Sequence, residues 1–139
     1  MAPTSVRLPA DVEASLDRWS ERTRSSRSAV VALALREWLD VQHHPGVVFR
    51  DAGDGDRRPA LEAGPEIWAV VDTWRRTPQA ERTVVAVADV LGLRPDQVET
   101  ALSYYAEHQA EVDDWLERHH RLADEAEAAW HRRQALTSP

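Results

Sequence analysis

The run Ala29-Val30-Val31-Ala32-Leu33-Ala34-Leu35, followed by Trp38 and Leu39, constrains this chain more than any other stretch. A helix built from these residues is apolar around most of its circumference, so it must be buried on nearly every side. Ser26 stands before it as a good N-cap. The segment from about Ala10 to Thr23 reads as another helix, with Val12, Leu16 and Trp19 at i, i+4 and i+7 forming an apolar stripe. Ahead of both, Thr4-Ser5-Val6-Arg7-Leu8 alternates polar and apolar residues and stops at Pro9, which predicts one short half-buried strand. A unit of about forty residues cannot hide such a helix alone, and a lone strand leaves both edges unpaired. A second copy of the chain answers both needs, through antiparallel pairing of the two strands and interlocking of the helices.

Strand, helix, capped turn and apolar helix in this order resemble the ribbon-helix-helix family of bacterial DNA-binding proteins, the Arc, MetJ and CopG group. The matching residues are Ser5-Val6-Arg7-Leu8-Pro9, Leu16, Trp19, Ser26-Arg27-Ser28 and Ala34-Leu35-Arg36-Glu37. The resemblance implies a homodimer whose two-stranded ribbon lies in the major groove of double-stranded operator DNA. In that docking mode Val6 and Leu8 face the dimer core, and Ser5 and Arg7 face base edges, with Thr4 as a third contact. Arg7 suits guanine, whose O6 and N7 match its fork. The start of the apolar helix at Ser26, Arg27 and Ser28 would hold a backbone phosphate, with Arg24 and Arg27 flanking the turn. Pro3 and Arg24 or Ser25 depart from the family, standing where an outward polar residue and a turn glycine are common. The competing reading of residues 4–40 is a dimerisation module that touches no DNA.

Net charge is −7, yet it is unevenly spread. Residues 1–40 carry six Arg against six Asp or Glu, and 81–139 carry six against twelve, so the acidity belongs to the C-terminal part. A neutral head binds DNA if its arginines cluster on one face, with modest and strongly salt-dependent affinity. The acidic part must point away from DNA and suits a basic protein partner. All 17 basic residues are arginine, a bias that suggests GC-rich coding more than a mechanism. There is no cysteine, which removes disulfides and thiolate metal sites. No apolar run approaches membrane length and no signal-like segment opens the chain, so the expected location is cytoplasmic.

From Val41 to Gly64 the helical pattern lapses. His44-Pro45-Gly46 is a turn, Val47 to Arg50 a short strand, and Arg57 to Glu62 a returning strand that Pro59 confines to an edge. Between them Asp51, Asp54 and Asp56 with Gly53 and Gly55 lack EF-hand spacing and its terminal Glu, and read as a solvated turn. Gly64-Pro65-Glu66 then starts a helix carrying Ile67, Trp68, Val70, Val71 and Trp74 to about Arg76. A further helix spans about Val84 to Leu91. Ala88, Gly92 and Val98 have the spacing of a helix-turn-helix, whose second helix begins after Pro95. Its exposed face offers Asp96, Gln97, Glu99 and Thr100, a poor match to phosphate, which favours a structural or protein-binding pair over a second DNA contact.

Residues 44–114 resemble a small hairpin-bearing helical domain of VapB-like antitoxins. The resemblance rests on His44-Pro45-Gly46-Val47, the run from Arg58 to Gly64, Ile67-Trp68, and Val87 to Leu93 leading to the Val98–Tyr105 helix. The last stretch, about Gln109 to Leu136, reads as one long helix with Val112, Trp115, Leu116, His119, Leu122, Ala123, Ala126 and Trp130 on one stripe. Either the stripe folds back on its own domain or pairs with its twin, or it binds the groove of a second protein. By resemblance that partner is a toxin with a PIN-like, metal-dependent RNase fold, met by Trp115, Leu122 and Trp130 and by Arg132 or Arg133 at its acidic site.

Catalysis is not expected. Adjacent histidines such as His43-His44 and His119-His120 diverge by about 100° on a helix and rarely chelate one ion, His108 and His131 add no motif, and no nucleophile or phosphate-loop pattern is present. Neither a metal nor a cofactor is expected. The fold expected is mainly α. Residues 1–42 form a ribbon-helix-helix DNA-binding and dimerisation domain, 43–110 a β-hairpin plus helix-turn-helix-like antitoxin domain, and 111–139 a C-terminal amphipathic helix and tail. The function expected is an autoregulating antitoxin of a type II toxin-antitoxin system, with the step from dimer to higher oligomer left open. Two alternatives stand beside it: a stand-alone ribbon-helix-helix transcriptional regulator, and an interaction protein that binds no DNA.

Overall fold

The computed structural model describes residues 2–53 and 55–137, and they divide into two compact units, Met1–His43 and His44–Pro139. In the first, helix α1 (Ala10–Thr23) follows Pro9, whose ψ of 150° keeps it outside the helix. The helix ends at Arg24, which takes the left-handed conformation at φ 54° and donates its backbone N–H to Ser20 O. Helix α2 (Arg27–His43) begins after Ser26, whose Oγ accepts the Ala29 N–H at 3.1 Å.

Residues 2–9 carry no strand, which corrects the expectation for Thr4–Leu8 within a single chain. A strand exists by virtue of a paired edge, and this unit otherwise contains only α1 and α2. The second finding has the same origin. Neither α1 nor α2 holds a buried residue, and Trp38 is 60% exposed and Leu35 55%. The apolar circumference of α2 is real, and one chain does not cover it.

The second unit opens with strands β1 (Val47–Asp51) and β2 (Arg57–Leu61), an antiparallel pair in which Phe49 faces Pro59 and Val47 faces Leu61. Each strand of a two-stranded sheet is an edge, so Pro59 is tolerated. Asp54, part of the acidic loop between them, lies outside the described residues; Asp51 Oδ1 accepts the Gly53 N–H at 2.8 Å and Asp56 Oδ2 pairs with Arg118 at 3.3 Å. Arg50 fastens the hairpin to the next turn by donating to the carbonyls of Leu61, Glu62 and Gly64 at 2.7, 3.1 and 2.9 Å.

Four helices follow: α3 (Ile67–Arg76), α4 (Val84–Leu91), α5 (Pro95–Glu107) and α6 (Gln109–Thr137). Thr83 Oγ1 caps α4 through the Ala86 N–H, and Gly92 ends it in the left-handed region at φ 66°, where a side chain is disfavoured. The core joins Val47 and Leu61 of the hairpin to Ile67, Val70 and Val71 of α3, Val87 and Ala88 of α4, Val98, Ala101 and Tyr104 of α5, and Val112 and Leu116 of α6. Thus the first two turns of α6 belong to this core, and from residue 121 to 137 no side chain is buried. Among the described residues no helix is long and apolar enough to cross a membrane.

Candidate functional site

The residues expected to meet DNA all lie on the surface of the first unit: Thr4, Ser5 and Arg7 ahead of α1, and Arg24, Ser26, Arg27 and Ser28 at the α1–α2 corner. Ser5, Val6, Arg7 and Leu8 line one open depression of about 310 Å³ together with Glu13 and Arg27. The fold therefore gathers Ser5, Arg7 and Arg27 in one place, whereas Thr4, Arg24, Ser26 and Ser28 do not line it. At the start of α2 the amides of Arg27 and Ser28 occupy the first helical turn, where backbone N–H groups have no intrahelical acceptor.

Arg27 has protein partners that sequence reasoning missed. Its Nη2 lies 3.0 Å from Glu13 Oε1 and its Nε 3.2 Å from Asp17 Oδ1. Glu13 and Asp17 are four residues apart on α1, hence on one face, which is the signal that could have found them. All three side chains are about half exposed, so water and salt screen the pairs. A phosphate at this corner meets a guanidinium already shared between two carboxylates.

In the α4–α5 pair, Ala88 and Val98 are buried and Gly92 ends α4 in the left-handed conformation. The exposed face of α5 is engaged in its own fold. Gln97 accepts the Arg94 N–H through Oε1 at 2.9 Å and donates through Nε2 to Ala63 O at 3.3 Å. Arg94 forks onto Asp96 at 3.0 and 3.1 Å, and those hydrogen bonds hold the Asp96 carboxyl below its usual range.

The expected partner-binding residues separate along α6. Trp115 is partly buried and, with Leu122, lines a small groove shared with Arg58, Trp68, Arg118 and His119. The rings of Trp68 and His119 meet there at a tilt of 35° with centroids 3.9 Å apart, and Glu66 accepts the Trp68 indole N–H. Trp130, Arg132 and Arg133 lie farther along the helix and are exposed.

A constellation outside these expectations lies at the junction of α5 and α6. The imidazole of His44, buried in the turn before β1, reaches Glu107 Oε2 through Nε2 at 3.0 Å. His108 adjoins them, and one donor atom from each of the three side chains lies within 4.8 Å of the others. Sequence spacing carries no sign of this grouping, because the partners are 63 residues apart.

No family model, curated protein or solved structure matches the chain.

Proposed function

We propose that the chain is a homodimeric antitoxin that binds operator DNA through its N-terminal unit, represses its own operon, and neutralises a PIN-like RNase toxin through its C-terminal helix. The reading assigns it no catalysis and places it in the cytoplasm. The observation that carries it is the absence of any buried residue in α1 and α2, although these helices bear Val12, Trp19, Leu33, Leu35, Trp38 and Leu39. Exposed apolar surface on this scale marks an interaction face. A second copy, with residues 4–8 of both chains paired as a ribbon, covers that face and satisfies the lead-in backbone together. Arg7 then stands twice on the ribbon, with the two Arg27 corners beside it. The α6 segment beyond Arg121 supports the toxin-binding part of the reading, since it is exposed and amphipathic.

The test of the DNA-binding role is Arg7→Ala. Operator binding in a gel shift should be lost while the sedimentation of the dimer stays unchanged; unchanged operator affinity overturns the ribbon assignment. Co-expression with the adjacent gene tests the antitoxin role. A stable complex supports it, and a chain that elutes alone supports the stand-alone regulator, a reading that the packing of Val112 and Leu116 into their own unit favours for the proximal part of α6.

A further inference from the structure

We propose that His44, Glu107 and His108 bind a divalent transition-metal ion, with zinc as the natural occupant, and that the ion ties the start of the second unit to the α5–α6 corner. Two imidazoles and one carboxylate, with water in the fourth position, form a known zinc ligand set. Nitrogen donors of this kind discriminate against calcium and magnesium, which prefer oxygen cages.

The backbone makes this convergence possible. Neighbours on a continuous helix diverge by about 100° and cannot share an ion. Here α5 stops at Glu107 and α6 starts at Gln109, and His108 between them has φ −128° and ψ 36°, outside the helical region. That single interrupted residue lets two adjacent side chains turn toward His44. The donor atoms lie within 4.8 Å of one another, and His44 Nε2 and Glu107 Oε2 are already 3.0 Å apart. Tetrahedral zinc with ligands at about 2.0–2.1 Å needs donors roughly 3.4 Å apart, so closure requires only a modest inward swing. Glu107 is 66% exposed, so its carboxylate is not fixed by packing.

The surroundings are those of a site that orients its ligands. Tyr104 stacks on His108 at 4.2 Å between ring centroids and meets His44 edge-on at 5.2 Å, which restrains both imidazoles. Glu111 Oε2 stands 3.5 Å from His108 Nδ1, so a further carboxylate borders the cluster. His44 itself is 5% exposed, so its ring is held by the core and is not free to wander.

The experiment uses the full-length, tag-free protein, stripped with a chelator and dialysed. It is titrated with zinc against a chromophoric chelator and with cobalt(II) by visible absorption. The proposal expects one zinc per chain, the d–d bands of four-coordinate cobalt, and a melting temperature that rises with zinc. Glu107→Gln, on an exposed side chain, and His108→Gln, on a partly buried one, should each weaken zinc at least about tenfold with unchanged far-UV circular dichroism. His43→Gln, His119→Gln and His131→Gln should leave it unchanged. Absence of saturable zinc binding, or binding as tight in the Glu107 and His108 variants, overturns the site and leaves a plain His44–Glu107 hydrogen bond.

Discussion

Arg27, at the first position of α2, is clasped by Glu13 and Asp17 of α1, so the cation at the proposed phosphate corner is neutralised by its own unit. Replacing both carboxylates by their amides keeps the side-chain shapes and releases the guanidinium. The Glu13→Gln, Asp17→Asn double variant should therefore bind duplex DNA more tightly, by roughly three- to tenfold at low salt, with a steeper salt dependence. A gel shift across a salt series measures both. Equal affinity and slope would mean that the corner does not approach the phosphates.

Arg24 ends α1 in the left-handed conformation at φ 54°, a conformation that costs a residue with a Cβ about 1 kcal/mol. Arg24→Gly should raise the stability of the N-terminal unit by about that amount in urea unfolding. If the arginine also contacts a phosphate, the same change should lower the slope of log K against log salt by about one unit per site. A stabilised protein with unchanged salt slope would leave Arg24 as a strained cap and nothing more.

Local signals were legible and partnered ones were not. Pro9 and Gly92 are punctuation that acts on the spot, and α1 and α4 run between the bounds expected from them, Ala10–Thr23 and Val84–Leu91. The hairpin registered through its turn residues and its Pro59 edge, with β2 ending at Leu61, one residue earlier than Glu62. Thr4–Leu8 has the alternation of a strand, yet alternation describes only side chains, and strand formation also needs a backbone partner that one chain does not supply. The Arg27 pairs depend on the α1–α2 crossing, and the approach of His44 to Glu107 and His108 depends on the closure of the whole second unit. Periodicity carries neither.

The bare apolar side chains of α2 make oligomeric state the sharpest test of the N-terminal unit. Leu35→Asp or Trp38→Asp places a charge on the face proposed to be buried between chains, where desolvating an unpaired carboxylate opposes association. Either variant should shift the protein toward monomer in sedimentation and reduce DNA binding with it. The wild-type melting temperature should rise with protein concentration, as mass action requires for a folded dimer. Monomeric wild-type protein at micromolar concentration would remove the dimer from the proposal.

Tyr105 gives the second unit an alkaline signature. Burial, and then the hydrogen bond it donates to Asp113 Oδ1 at 2.7 Å, raise its pKa above the ordinary value of 10.0, against the opposing pull of Arg75. The folded state thus holds this proton more tightly than the unfolded chain does. Its contribution is fully present below pH 10 and is lost as pH rises through the folded-state value. Tyr105→Phe should flatten the fall in stability above about pH 10 relative to wild type, measured by denaturant unfolding at stepped pH. An identical alkaline slope in the variant would show that Tyr105 titrates alike in both states.

The two parts of α6 should separate cleanly under truncation. Val112 and Leu116 sit in the core, whereas no side chain from 121 to 137 is buried, a stretch of about 25 Å at 1.5 Å per residue. Leu116→Ala should cost about 2–5 kcal/mol, the range for emptying a packed leucine site. A stop after Arg121 removes Leu122 from the groove beside Trp115 and Trp68, yet should change the unfolding free energy of the unit by about 1 kcal/mol or less. The same truncation should abolish co-purification with the proposed toxin, because Leu122, Trp130, Arg132 and Arg133 all go with it. A truncated chain that still carries its partner would move the binding surface off the distal helix and onto the groove where Trp115 remains.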